Sequence, residues 1–228
     1  MTTMRDPTKQ QILDAIDRGI RRAQDDYKDA AWTPLCRGPE HLLTVAIFYS
    51  LLNLTKKDSL TLENRPTELL DWLKRRPRPG RPRSVPRGTG RIDICLWHKG
   101  EDRPRVIIEA KRRVGDWRKY TKDTDIDRIA QLLLANTVHK FEFGILASCV
   151  HRVVGDSNRN QLERKINANL KSLRQAIKEQ LDSRLGVELE PSGFEPLLLK
   201  HKYPEDEHSR DWVWRPVVFR IYRKRTRQ

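Results

Sequence analysis

Two carboxylates and one amine stand in apolar, strand-like company. Asp93 lies within Arg91-Ile92-Asp93-Ile94-Cys95-Leu96-Trp97, and Glu109 and Lys111 lie within Arg105-Val106-Ile107-Ile108-Glu109-Ala110-Lys111. Successive side chains of a strand point to opposite faces. Ile92, Ile94 and Leu96 are therefore expected on one face, with Asp93 on the other. Ile108 and Ala110 share a face, and Glu109 and Lys111 share the opposite one. The intervening Lys99-Gly100-Glu101-Asp102-Arg103-Pro104 is polar and carries Gly and Pro, as a hairpin connection should. Pairing the strands gathers two acids and an amine at the edge of an apolar sheet, where bare charge is costly to bury. A divalent cation held by hard carboxylate oxygens would justify the cost.

The elements that must position these groups follow from periodicity. Ile12, Ile16, Ile20, Ala23 and Tyr27 recur every three or four residues, which predicts an amphipathic helix over 8–31. Residues 39–54 predict a second helix with Pro39 in its first turn, apolar nearly all round and therefore internal. Residues 60–64 alternate as a short strand, and 66–75 read as a short helix. Pro77, Pro79, Pro82 and Pro86, with Gly80, Gly88 and Gly90, make 77–90 an extended or flexible arm. After the two motif strands come a helix over 123–138 and a buried strand over 141–150. A long amphipathic helix over 161–181 and a strand over 212–222 complete the chain. The 228 residues are expected to form a single domain: an N-terminal helix at 8–31, a core at 39–150 with a basic insertion at 74–91, and a C-terminal extension at 157–228.

Asp93 followed, one hairpin later, by Glu109-Ala110-Lys111 resembles the PD-(D/E)xK nuclease superfamily. The proline that usually precedes the Asp is replaced, since Gly90-Arg91-Ile92 stands there. Without the insertion, the elements of 39–150 run helix, strand, strand, strand, helix, strand. That is the αβββαβ core the resemblance implies, and it covers about half the chain. The expected fold is thus α/β, a restriction-endonuclease-like core with a mixed central sheet flanked by helices, plus extra N-terminal and C-terminal helices. The resemblance further implies a metal-dependent endonuclease acting on DNA, with RNA left open. Asp93, Glu109 and the carbonyl of Ala110 would hold Mg²⁺ or Mn²⁺, and Lys111 would assist the attacking water. It also implies an acidic residue near the start of the first core helix, where Glu40 stands. Placement in a first helical turn, favoured by the macrodipole, accounts for Glu40 equally well.

Charge supports a polyanionic partner. The formal net charge is +15, and 34% of residues are charged. Lys74, Arg75, Arg76, Arg78, Arg81, Arg83, Arg87 and Arg91 form a run free of acids, expected to contact phosphates beside the Asp93 strand. A second acid-free run follows Asp211. Arg112 and Arg113 adjoin the motif, and the resemblance implies that Arg128 and Gln131, which share a helix face, touch the substrate phosphate or the catalytic centre. The plainer account of that face is an Asp125–Arg128 pair at i,i+3. Trp117 and Tyr120, among basic residues, could stack on bases or cap the core.

Cys36, Cys95 and Cys149 are too widely spaced for a zinc site, and six scattered His residues give no ligand pair. No phosphate-binding GxxxxGK[ST] loop is present. The first residues hold no apolar signal segment, and Leu42 to Leu54 is too short to cross a bilayer, so a cytoplasmic protein is expected. The helix at 161–181 is a candidate homodimer interface. Against the nuclease stand two alternatives: a catalytically inactive nuclease fold that binds nucleic acid or serves assembly, and a regulatory partner, for example in phage or defence systems.

Overall fold

The structure, a computed structural model, describes residues 6–31, 35, 39–55, 59–73, 91–98, 103–111, 124–135, 140–154, 159–193, 197–199 and 211–224. It is α/β. Among the described residues five helices, α1 (Lys9–Ala31), α2 (Glu40–Leu52), α3 (Pro66–Leu73), α4 (Thr124–Leu134) and α5 (Arg159–Gln180), flank one mixed sheet. The strands are β1 (Leu60–Asn64), β2 (Ile92–Trp97), β3 (Pro104–Lys111), β4 (Phe143–Val154), β5 (Leu185–Glu190), β6 (Leu197–Leu199) and β7 (Asp211–Arg223). Six of them run in the order β1-β2-β3-β4-β7-β5, and β6 pairs with β7 beside them. β3 and β4 are parallel, joined through α4, and the other pairings are antiparallel.

Alternation divides the core into two layers. Val106, Ile108 and Ala110 of β3 meet Ile94 and Leu96 of β2 and Phe143, Ile145 and Ala147 of β4, under Ile12, Ile16 and Ile20 of α1 and Leu43 and Ile47 of α2. On the other face Cys95, Ile107 and Leu146 pack with Ile126, Ile129 and Leu133 of α4 and Leu162, Ile166 and Leu170 of α5. β3 is central and buried along nearly its whole length, which explains its continuous apolar run. Ile92 departs from the expected alternation and joins the α4/α5 layer. The β2–β3 ladder ends at Ile94↔Ile108, so pairing with β3 no longer fixes the face of Ile92.

Two glycines permit close approach. A Cβ on Gly19 of α1 would lie 2.6 Å from the Cα of Ile47 of α2, so the two helices can meet backbone to backbone there. A Cβ on Gly144 of β4 would run into the side chain of Ile129, so Gly144 seats α4 on the sheet.

Several expectations are corrected. α2 is not internal on all sides: Leu42, Val45 and Tyr49 are 36%, 41% and 55% exposed, because only the Leu43–Ile47–Leu51 side meets α1 and the sheet. Pro39 is the N-cap of α2 with extended backbone rather than a first-turn residue. α4 ends at Leu134, and β4 starts at Phe143 and runs on to Val154. The C-terminal extension contains β5 and β6 in addition to the helix and final strand. The arm at 77–90 lies outside the described residues. Among the described residues no helix is long and apolar enough to cross a membrane.

Candidate active site at the open end of the β2–β3 ladder

The strand register carries Asp93 opposite Glu109, one step beyond the last β2–β3 pair, Ile94↔Ile108. There the Asp93 side chain reaches the neighbouring strand: its Oδ2 accepts a 2.7 Å hydrogen bond from the backbone N–H of Ala110. Burial pushes the Asp93 carboxyl up to about 6, and the Glu40 and Glu63 carboxylates add to the rise. The Ala110 N–H and the Lys111 ammonium oppose it.

Glu109 is only 1% exposed. Its Oε1 accepts from Nε and Nη2 of Arg128 at 3.2 and 3.0 Å. Burial raises the Glu109 carboxyl well above the usual range, with Asp93 and Asp125 adding to the rise and Arg128 opposing it. Arg128 also donates to Asp125, one turn back on α4.

Lys111 bridges the two sides of the sheet. Its Nζ lies 2.7 Å from Asp125 Oδ2 of α4 and 3.2 Å from Glu40 Oε1 at the start of α2. Burial pulls the ammonium's pKa down, but the hydrogen bond and charge of Asp125, with Glu40 and Glu109, more than offset this and hold it above its usual value. The Lys111 carbonyl is tied by Ser148 Oγ, which donates at 2.5 Å from the paired position of β4. A chain of alternating charge thus runs Glu40–Lys111–Asp125–Arg128–Glu109.

The sequence-predicted residues Asp93, Glu109, Lys111 and Glu40 come together here, and Ala110 bonds Asp93 through its N–H. Arg128 is buried and turned inward onto Glu109 of the candidate centre and onto Asp125, the i,i+3 pair of the plainer account. Gln131 and Arg91 are exposed. Arg75, Arg76, Arg78, Arg81, Arg83, Arg87, Arg112 and Arg113, with Trp117 and Tyr120, lie outside the described residues. Asp125 and Ser148 were not marked as site residues in the sequence. Asp125 carried a signal only as the helix partner of Arg128, and Ser148 carried none. Glu63 stands on β1 between the pairs Leu62↔Ile94 and Asn64↔Ile92, with φ 57°, a left-handed conformation unusual for a residue other than glycine. Such local strain concentrates at functional sites.

Among the described residues no three His, Cys, Asp or Glu side chains form a cluster able to hold a metal ion on their own. The donor chemistry nevertheless suits a hard divalent cation. The carboxylates crowd one another: Asp93 and Asp125 both push the Glu109 carboxyl up, and Glu40 and Glu63 push up Asp93. Two carboxylates and a backbone carbonyl at one strand end are oxygen ligands of the kind Mg²⁺ and Mn²⁺ accept. The chain matches no protein-family model, no curated protein and no solved structure.

Proposed function

We propose that this protein is a metal-dependent nuclease of the PD-(D/E)xK type that hydrolyses phosphodiester bonds in DNA. The observation that carries the proposal is the meeting of Asp93, Glu109 and Lys111 where the β2–β3 ladder opens. The element order α2-β1-β2-β3-α4-β4, interrupted by α3 and with β3 parallel to β4, supports a restriction-endonuclease-like core.

Asp93, Glu109 and the Ala110 carbonyl would hold Mg²⁺ or Mn²⁺, which when bound supplies Lewis acidity to the scissile phosphate and the attacking water. Lys111 is kept charged by Asp125 and Glu40, and its ammonium donates hydrogen bonds to the water or to the phosphoryl oxygens as negative charge grows on them. Glu40, exposed at the start of α2, holds that ammonium from the solvent side. Asp125 holds it from the buried side. The basic surplus of the chain attracts the DNA backbone and makes affinity fall with salt.

The test is plasmid cleavage with Mg²⁺, comparing the parent protein with Lys111→Ala and Asp93→Ala. Cleavage by the parent and its loss in both variants is expected; cleavage that survives both substitutions rejects the proposal. One observation favours a second reading, a nucleic-acid-binding module without turnover: Lys111 and Glu109 already have protein partners. Salt-dependent binding without cleavage of any DNA or RNA tested selects that reading.

A further inference from the structure

Arg128 pairs with two carboxylates, Glu109 and Asp125, among its partners, and they differ in what losing them would mean. Glu109 belongs to the strand and to the carboxylate pair with Asp93. Asp125 belongs to the same helix as Arg128, one turn away, and also binds Lys111. Both bonds from Arg128 to Glu109 fall on the single oxygen Oε1. The two side chains are 7% and 1% exposed, so neither charge has water as a ready substitute partner. A divalent cation on the Glu109 carboxylate would lie within a few ångströms of the guanidinium, and like charges at that range in a buried site repel strongly. Asp125 removes the obstacle to separation, because a guanidinium that leaves Glu109 keeps a buried carboxylate partner on its own helix.

From this geometry we infer that Arg128 is the resident counter-ion of the carboxylate centre: it occupies Glu109 when no divalent cation is present and withdraws to Asp125 when one binds. The inference rests on the divalent-cation centre proposed above. It makes Arg128 and Asp125 positioning residues that set how readily the centre accepts its ion. Arg128 competes with the ion for Glu109, and Asp125 relieves that competition by offering Arg128 another partner.

The test is the Mn²⁺ affinity, measured by calorimetry, of four proteins: the parent, Arg128→Gln, Asp125→Asn and the double variant. Arg128→Gln is expected to tighten binding about tenfold, and Asp125→Asn to weaken it about tenfold where Arg128 is present but less than about twofold where it is not. Through-space charge alone predicts that Asp125→Asn weakens binding by the same factor in both backgrounds, and that result overturns the inference. A second readout uses the parent protein and so does not depend on the variants folding. The Arg128 Nε–H resonance, held by Glu109 in EDTA, is expected to shift or vanish at saturating Mg²⁺, and an unchanged resonance also overturns the inference. If the parent binds Mn²⁺ but the cycle is additive, only the exchange of Arg128 fails. If neither the parent nor Arg128→Gln binds Mn²⁺, the nuclease reading fails and this inference fails with it.

Discussion

Asp93→Asn is expected to make the metal-free protein more stable at neutral pH. The Asp93 carboxyl, ordinarily near 3.8, titrates at about 6 in the folded protein, chiefly because burial disfavours its charge. The folded chain therefore holds this proton more tightly than the unfolded chain. Below about pH 3 the group is protonated in both states and carries no penalty. Between about pH 4 and pH 6 the unfolded chain ionises first, so stability falls as pH rises. Above that window the penalty is complete and corresponds to about 3 kcal/mol at 1.36 kcal/mol per pKa unit. Asparagine removes the charge, and its carbonyl oxygen can still accept from the Ala110 N–H. For a chain of this size the gain corresponds to an increase in Tm of about 6–12 °C. Urea unfolding of both proteins in EDTA, at pH 4 and at pH 7.5, measures the effect. The difference should be about 3 kcal/mol at pH 7.5 and only about 0.5 kcal/mol at pH 4, where the unfolded carboxyl is already about half ionised. A variant less stable than the parent at pH 7.5, or a gap of equal size at both pH values, refutes the claim that Asp93 is held there as a destabilising charge.

Two further substitutions probe the supports of the site and of the sheet. Gly144→Ala places a methyl group against Ile129 and should displace α4, costing about 1–3 kcal/mol in urea unfolding. It should also lower cleavage more than DNA binding, since α4 carries Asp125 and Arg128. Wild-type stability in this variant would show that α4 is seated differently. At the far edge of the sheet, Asp17 of α1 accepts from Ser192 Oγ at 2.9 Å and from the Gly193 N–H at 2.8 Å, just after β5. Asp17→Ala removes both acceptors and should cost about 2 kcal/mol while leaving cleavage by the folded protein unchanged, which unfolding and plasmid assays together can check.

What could be read from the chain depended on how local the cause was. Alternation over 94–97 and over Pro104–Lys111 is a property of each strand alone, so the face shared by Glu109 and Lys111 is legible in the sequence, whereas the turn of Ile92 into the α4/α5 layer is not. β5 was missed because its alternation, Leu185, Val187 and Leu189, spans six residues directly behind a long helix, and β6 has only three residues with no period to detect. Composition made α2 look wholly internal, but which side of an apolar helix is covered depends on where its neighbours lie. The same limit applies to Arg128. Its i,i+3 spacing to Asp125 was evident, whereas its inward direction depends on how α4 sits on β4, where Gly144 leaves room for Ile129. Sequence spacing therefore places the candidate groups near one another. The groups that hold them, Asp125 across a crossover and Ser148 on a neighbouring strand, act through tertiary register. The opposite charge facing the acidic pair comes from Lys111 and Arg128, and Asp125 in the first turn of α4 pairs with both, so a strand motif of two acids and a lysine should direct attention to the first turn of the following helix.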